Sequence, residues 1–271
     1  MTDTGALQTY HRFIDEAGDM TFFGKGNVPL IGVEGVSRVF MLGMCQIKQN
    51  LNSTRERLHR FYYEIENDPF FNSIPSVQKR IKTHGFYVHA KDDPPEIRYR
   101  FLSLLRDEIK FSVQVVVGRK SISRFVQKHH SNEREFYADL LSHLLKDKGS
   151  YEKLVINVAH RGSSTSNNNL EFALSQAHAR FAKRHTENYA TEIKFNVQPY
   201  NHEPLLAIVD YALWTVQRVF ERGETRYYNL ISDKIPLVLD LYDTTKYEGW
   251  LNYYGPKNPL TKENCINRSR A

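Results

Sequence analysis

The stretch His11 to Asp19, reading His-Arg-Phe-Ile-Asp-Glu-Ala-Gly-Asp, constrains the fold of this chain more than any other. Phe13 and Ile14 are strand formers, and they run directly into three acids within five positions: Asp15, Glu16 and Asp19. Gly18 among them lets the chain turn without a Cβ penalty. A strand that ends in clustered carboxylates gathers like charges at one sheet edge, where they raise one another's pKa unless a cation sits among them. A hard divalent ion, Mg2+ or Mn2+, suits the cluster, because such ions take oxygen ligands and need only one or two carboxylates from each element. The alternative is a strand followed by an acidic, solvated turn, since Asp and Gly are common turn residues.

Further strands follow from apolar runs of strand length. Arg38–Ile47 is nearly continuous and suits the middle of a sheet, and Phe111–Gly118, with four valines, is a clear β segment. Leu154–Val158 and Ile193–Val197 read as interior strands, and Phe86–Ala90 as a short one carrying His89. Helical spacing of apolar residues marks 54–66, 96–109, 131–146, 170–181 and 203–222. From Tyr242 onward, Gly249, Gly255, Pro256 and Pro259 predict coil. Two early strands followed by alternating helices and strands predict an α/β fold with a mixed sheet flanked by helices. One domain spanning 1–271 is expected, with its core over about 10–240, a helical insertion near 119–150 and a coil-rich tail over 242–271.

The 271 residues carry a net charge of +6 and 13% aromatics, which argues for a substantial core and is compatible with a polyanionic partner such as nucleic acid. The two cysteines, Cys45 and Cys265, have no metal-ligand spacing, which excludes a thiolate zinc site and fits a reducing cytoplasm. Met1–Gln8 lacks the pattern of a signal peptide, and no apolar run approaches the ~20 residues of a membrane span. The chain is therefore expected to be cytoplasmic and without a membrane partner. No Gly-rich loop opens a helix ahead of Lys-Ser/Thr, so a P-loop is absent. Gly162-Ser163-Ser164 lacks the closing Gly of a nucleophile elbow.

The second informative segment is the helix pattern around Asp210, which lies between Leu206, one turn earlier, and Leu213. A carboxylate at that position is at least partly buried and must be ion-paired, hydrogen-bonded or bound to a cation. His89 is a candidate proton shuttle or phosphate contact, set against a satisfied strand histidine. Lys120 and Arg161, at strand ends, are candidate phosphate-holding residues, set against solvated loop cations. Lys79, Arg80, Lys82 and Lys183-Arg184-His185 could add backbone contacts, and Glu108 sits at the edge of a helical stripe.

In order along the chain, these segments resemble a known family. Asp15-Glu16-Ala17-Gly18 resembles the Asp-Glu-Ser-Gly opening of family thirty-eight hundred of the domains of unknown function, and Ile208–Trp214 resembles that family's closing helix. Phe86–Ala90, Val117–Lys120 and Arg161-Gly162 are similar to its intervening segments, so the likeness runs from about Arg12 to Ile235. The resemblance implies a ribonuclease-H-like fold in which the first strand and the last helix each supply an acid. It also implies a bacterial source, often beside mobile-element or phage-defence functions. Ala17 stands where the family has Ser, and the interior strands end in Lys120 and Asn157–His160 without an Asp.

The expected activity is hydrolysis of nucleic-acid phosphodiester bonds, DNA or RNA, with Asp15, Glu16 and Asp210 holding two ions, as in a phage-defence or toxin effector. A catalytically degenerate nucleic-acid- or protein-binding subunit of a larger complex is the alternative, favoured by the missing interior acids. A purely structural subunit is the third reading, and a protein partner in a defence complex is expected under either alternative.

Overall fold

The computed structural model describes residues 9–146, 153–160, 167–182 and 192–266. Seven strands form one sheet: β1 (Thr9–Gly18), β2 (Val39–Ile47), β3 (Phe111–Arg119), β4 (Lys153–Ala159), β5 (Glu192–Gln198), β6 (Leu237–Asp240) and β7 (Tyr253–Tyr254). Their order is β5-β4-β1-β2-β3-β6-β7. β1, β2 and β3 are antiparallel neighbours, while β4 adds parallel to β1 and β5 parallel to β4. That order and sense make the ribonuclease-H-like mixed sheet. β6 extends it parallel to β3, and β7 closes the far edge antiparallel to β6. The segment beyond Tyr242 is therefore not all coil: it supplies an edge strand, fastened by short 3-10 turns.

Helices cover both faces. They are α1 (Leu51–Asn67), α2 (Pro69–Asn72), α3 (Pro75–His84), α4 (Pro95–Asp107), α5 (Ile122–His129), α6 (Glu133–Leu145), α7 (Asn167–Ala182), α8 (Leu206–Arg222) and α9 (Arg226–Ile231). α1, α4, α8 and α9 share one hydrophobic core with one face of the sheet, and α5, α6 and α7 share a second core with the other. β3 and β4 run in the same sense, so a long crossover must join them, and α5 and α6 are that crossover. The helices near 119–150 are thus required by topology. The inserted helices are α1–α4, because β2 and β3 are antiparallel neighbours that a tight turn could connect.

α8 organises the first face. Residues 206–216 are all buried, because the sheet covers one side of the helix and α1, α4 and α9 cover the other. Its end is set by Gly223 at φ +66°, whose N–H reaches the carbonyl oxygen of Val219. No helix among the described residues is long and apolar enough to cross a membrane.

Candidate acidic site under the α8 helix

Side chains alternate across a strand, and on β1 this divides the acidic cluster. Phe13 and Ala17 lie in the core under α8, whereas Ile14 lies in the core under α6. Asp15, between Phe13 and Ala17, stands on the α8 face; Glu16, two residues after Ile14, stands on the α6 face. Both are buried, at 1% and 6% exposure. Adjacent in sequence, they share no site.

Asp15 is paired in register with Gly43 of β2. A Cβ at Gly43 would come within 2.9 Å of Leu213 and 3.1 Å of Val209, so α8 rides directly over this pair. Asp210 follows Val209 on that helix and is itself buried. Its Oδ2 accepts the Ala90 N–H at 2.8 Å. The Tyr200 hydroxyl donates to Asp15 Oδ2 at 2.7 Å, and the His89 ring meets the Tyr200 ring edge-on with centroids 5.6 Å apart. Asp15, Tyr200, His89, Ala90 and Asp210 therefore form one continuous chain of contacts on a single face.

Two more carboxylates belong to this region. Asp93 accepts the His89 N–H at 2.9 Å, the Arg80 guanidinium and the Tyr211 hydroxyl. Burial pushes the Asp93 carboxyl up, while Arg80 and the hydrogen bonds oppose it. Glu203 is held by Arg55 at 2.7 Å. The Tyr62 hydroxyl is pushed up by burial first and then by the charges of Asp93, Asp210 and Glu203, which places all three around it. Burial, with Asp93 and Asp210 beside it, likewise raises Tyr211. Both phenols are held protonated within an acidic surround, and Tyr211 donates its proton to Asp93.

The other expected site residues are distributed differently. His89 is at the site, with Nδ1 3.1 Å from Asp92 Oδ2 on the partly exposed rim. Lys120 is not a phosphate contact. Its ammonium has no solvent exposure and donates to the Asp19 carbonyl, Asp19 Oδ1 and the Thr21 carbonyl, which engages all three of its donors. It also lies 5.6 Å from the centre of the Phe22 ring, in the core of the α6 face. Asp19, tied to Lys120 and Ser37, braces the connection after β1. Arg161 and Lys183-Arg184-His185 lie outside the described residues. Glu108 forms a bidentate surface pair with Arg57. Residues 86–90 form no strand; they lead without regular structure into a turn, and the Ala90 N–H, outside any ladder, donates to Asp210.

Tyr200, Asp93 and Glu203 carry no signal of a site in the sequence, and Tyr62, which beside Tyr63 reads as an exposed aromatic suited to a partner surface, is buried. Asp93 sits in a Lys-Asp-Asp-Pro-Pro turn and Tyr200 in a turn after β5, contexts that are ordinarily solvated. Tyr62 shares a helical stripe with core residues. Among the described residues, no group of three or more His, Cys, Asp or Glu is arranged to hold a metal ion. Asp15 and Asp210 are both carboxylates, the oxygen donors that a hard ion takes. The three-acid set that included Glu16 does not assemble.

No family model matches the chain, and no curated protein does. Among solved structures, the chain is similar to that of the PCNA:RNase HII complex from Archaeoglobus fulgidus, with a TM-score of 0.38 and 9% identity over 77% of this chain and 73% of that one. A likeness at that level says nothing of residues or chemistry, and the fold assignment rests on strand order and direction.

Proposed function

We propose that the chain is a metal-dependent nuclease of ribonuclease-H-like fold, with Asp15 and Asp210 as the carboxylates that hold Mg2+ or Mn2+. The observation that carries this reading is the seating of α8 over the Asp15–Gly43 pair, which gives the first-strand acid and the last-helix acid one common face. Mg2+ is held by one or two carboxylates, with water and substrate phosphate oxygens completing its shell, so two protein carboxylates are enough for one ion. A pair of ions sharing Glu16 is not part of the proposal. When bound, the ion would polarise a phosphoryl oxygen and lower the pKa of a coordinated water. His89, on the rim beside Tyr200, is the group placed to move a proton to or from solvent. Tyr200 covers Asp15, and substrate entry requires it to turn aside.

The second reading, a nucleic-acid-binding module without catalysis, is favoured by the lack of a three-ligand group among the described residues. Membership of the family that the sequence resembles, a bacterial source, and a role in phage defence or as a toxin with a protein partner are proposed on that resemblance alone, and a cytoplasmic setting on the cysteine usage and the lack of a signal-peptide pattern.

The deciding experiment pairs cleavage with melting. Labelled single-stranded and duplex DNA and RNA are incubated with Mn2+ or with chelator, and melting temperatures are recorded with and without millimolar Mn2+. Chelator-sensitive cleavage and a Mn2+-induced rise in melting temperature, both lost in Asp210→Asn, are expected. A wild-type protein indifferent to Mn2+ in both measurements would leave the binding module as the reading.

A further inference from the structure

A cleft of about 850 Å³ opens between the loop 32–38, the end of β1, Lys91, Arg98 and the second half of α8. Three of the elements that present the acidic site continue into it. Gly18 lies three residues beyond Asp15 on β1, Lys91 follows Ala90, and Trp214 lies one turn beyond Asp210. The cleft therefore begins where the acidic site ends.

Its charge is not neutralised internally. Five cations line it, and two of these are taken: Arg38 by Glu221 and Arg218 by Glu224. Lys91, Arg98 and Arg222 have no carboxylate partner among the described residues. Of the lining carboxylates, Asp19 is tied to Lys120 and Ser37, and Glu221 to Arg38, which leaves only the exposed Glu34. Arg98 is also fixed in place. Its Nε donates to the Ala90 carbonyl at 2.7 Å, an Nη donates to the Lys91 carbonyl at 2.8 Å, and its guanidinium lies 4.7 Å from the centre of the Trp214 ring. Lys91 and Arg222 are exposed and lie on different elements facing the same space.

We propose that this cleft is the track for the backbone of a single nucleic-acid strand, with Lys91, Arg98 and Arg222 holding successive phosphates as the strand leads into the acidic site. Several cations that lack internal partners, on separate elements and beside a carboxylate-rich centre, suit a ligand that carries repeated negative charges past that centre. The volume is within the range of a small-molecule pocket and has room for a few nucleotide units of one strand. The proposal deepens the nuclease reading and rests on it for the identity of the strand.

Anisotropy of a labelled 20-nucleotide single strand, titrated in chelator at several salt concentrations, tests the cleft without any chemistry. Three proteins are compared: wild type, a Lys91→Ala/Arg222→Ala variant, and a control Lys48→Ala/Lys110→Ala variant, exposed where β2 ends and β3 begins, away from the cleft. Each phosphate contact on a single strand contributes about 0.7 to the slope of log affinity against log salt. The cleft variant is expected to lower the slope by about 1.4 and weaken binding at low salt, with the control variant near wild type. An unchanged slope in the cleft variant, an equal loss in the control, or a duplex of the same sequence binding more tightly than the strand would overturn the proposal. So would inorganic pyrophosphate displacing the strand at equal phosphate concentration, which would assign the cleft to small phosphates. Because no metal is present, these results stand whether or not the protein cleaves.

Discussion

Asp15 and Glu16 are the same chemistry one residue apart, and the two faces of the sheet treat them as different molecules would. On the α8 face, Asp15 faces a helix that carries Asp210, and Tyr200, His89 and Ala90 connect the two. On the α6 face, Glu16 joins a wall built from Ile14, Leu42 and Phe40, where Lys120 is also enclosed. A cluster of acids in sequence becomes a cluster in space only for residues of one parity. The first face is thus the candidate for chemistry, and the second is structural support for the same strands.

The largest effect expected from this contrast is on activity. Asp15→Asn and Asp210→Asn should each lower metal-dependent cleavage by about a hundredfold or more, since even residues that only orient metal ligands are worth about 10- to 100-fold. Glu16→Gln should leave the rate within a few-fold of wild type once the folded fraction is matched by melting curves. A Glu16→Gln enzyme as inactive as Asp15→Asn would erase the distinction between the faces.

Lys120→Met sharpens the other side of the comparison. Removing the ammonium leaves Asp19 without its buried cation, and loss of one partner from a buried pair costs about 3–5 kcal/mol. Asp19 is partly exposed, so about 2 kcal/mol is expected, read from denaturant unfolding, with strand affinity per folded molecule unchanged. A loss of affinity without loss of stability would return Lys120 to the binding surface.

Two glycines offer a matched pair. Gly43 meets Leu213 and Val209 of α8, and Gly118 meets Leu140 and Phe136 of α6 at 3.0 Å. Alanine at either position overpacks a helix–sheet contact and should cost about 1–3 kcal/mol. Only Gly43→Ala lifts the helix that carries Asp210, so only it should lower cleavage and the Mn2+-induced melting shift per folded molecule. Equal functional losses in both variants would mean that helix seating on either face controls the site.

The sheet was legible because most of its strands are apolar runs, and 13–15, 39–46, 113–117, 154–158 and 193–197 all lie in it; 193–197 is an edge strand and not an interior one, since β5 alternates apolar with polar residues and buries none of them. β6 and β7 were not, being four and two residues long and set among loop residues. The burial of Asp210 followed from helical spacing alone. The separation of Asp15 from Glu16 was also present in the two-residue period of β1, but only the helix on each side gives that parity a consequence. The partners of these acids were out of reach: Tyr200 lies 185 residues from Asp15, and Ala90 lies 120 from Asp210. Lys120 misled because a cation at a strand end is ordinarily solvated, whereas the turn at Asp19–Thr21 folds over this one.

The smallest expected effect concerns a titrating group on the α6 face. His129 is buried, its Nε2 lies 3.2 Å from the Tyr242 hydroxyl, and that hydroxyl donates to Asp139, which Lys128 also holds. Burial lowers His129 to about 4; Asp139 and Glu135 oppose the shift, while Lys128 and Arg124 add to it. An unfolded histidine titrates near 6.5, so between about 6.5 and 4 the unfolded chain binds a proton that the folded chain refuses. Stability from this group is complete above 6.5 and is lost as pH falls toward 4. Asp240, raised to about 6 by burial against its Arg119 pair, pulls the other way, because its folded form gains a proton over the same window. A comparison with His129→Gln separates the two contributions. The variant should be less stable than wild type at pH 7, and the gap should narrow by several degrees of melting temperature on acidification to pH 4.5. Parallel melting curves across that range would show that His129 titrates normally and that water reaches it within the α6 face.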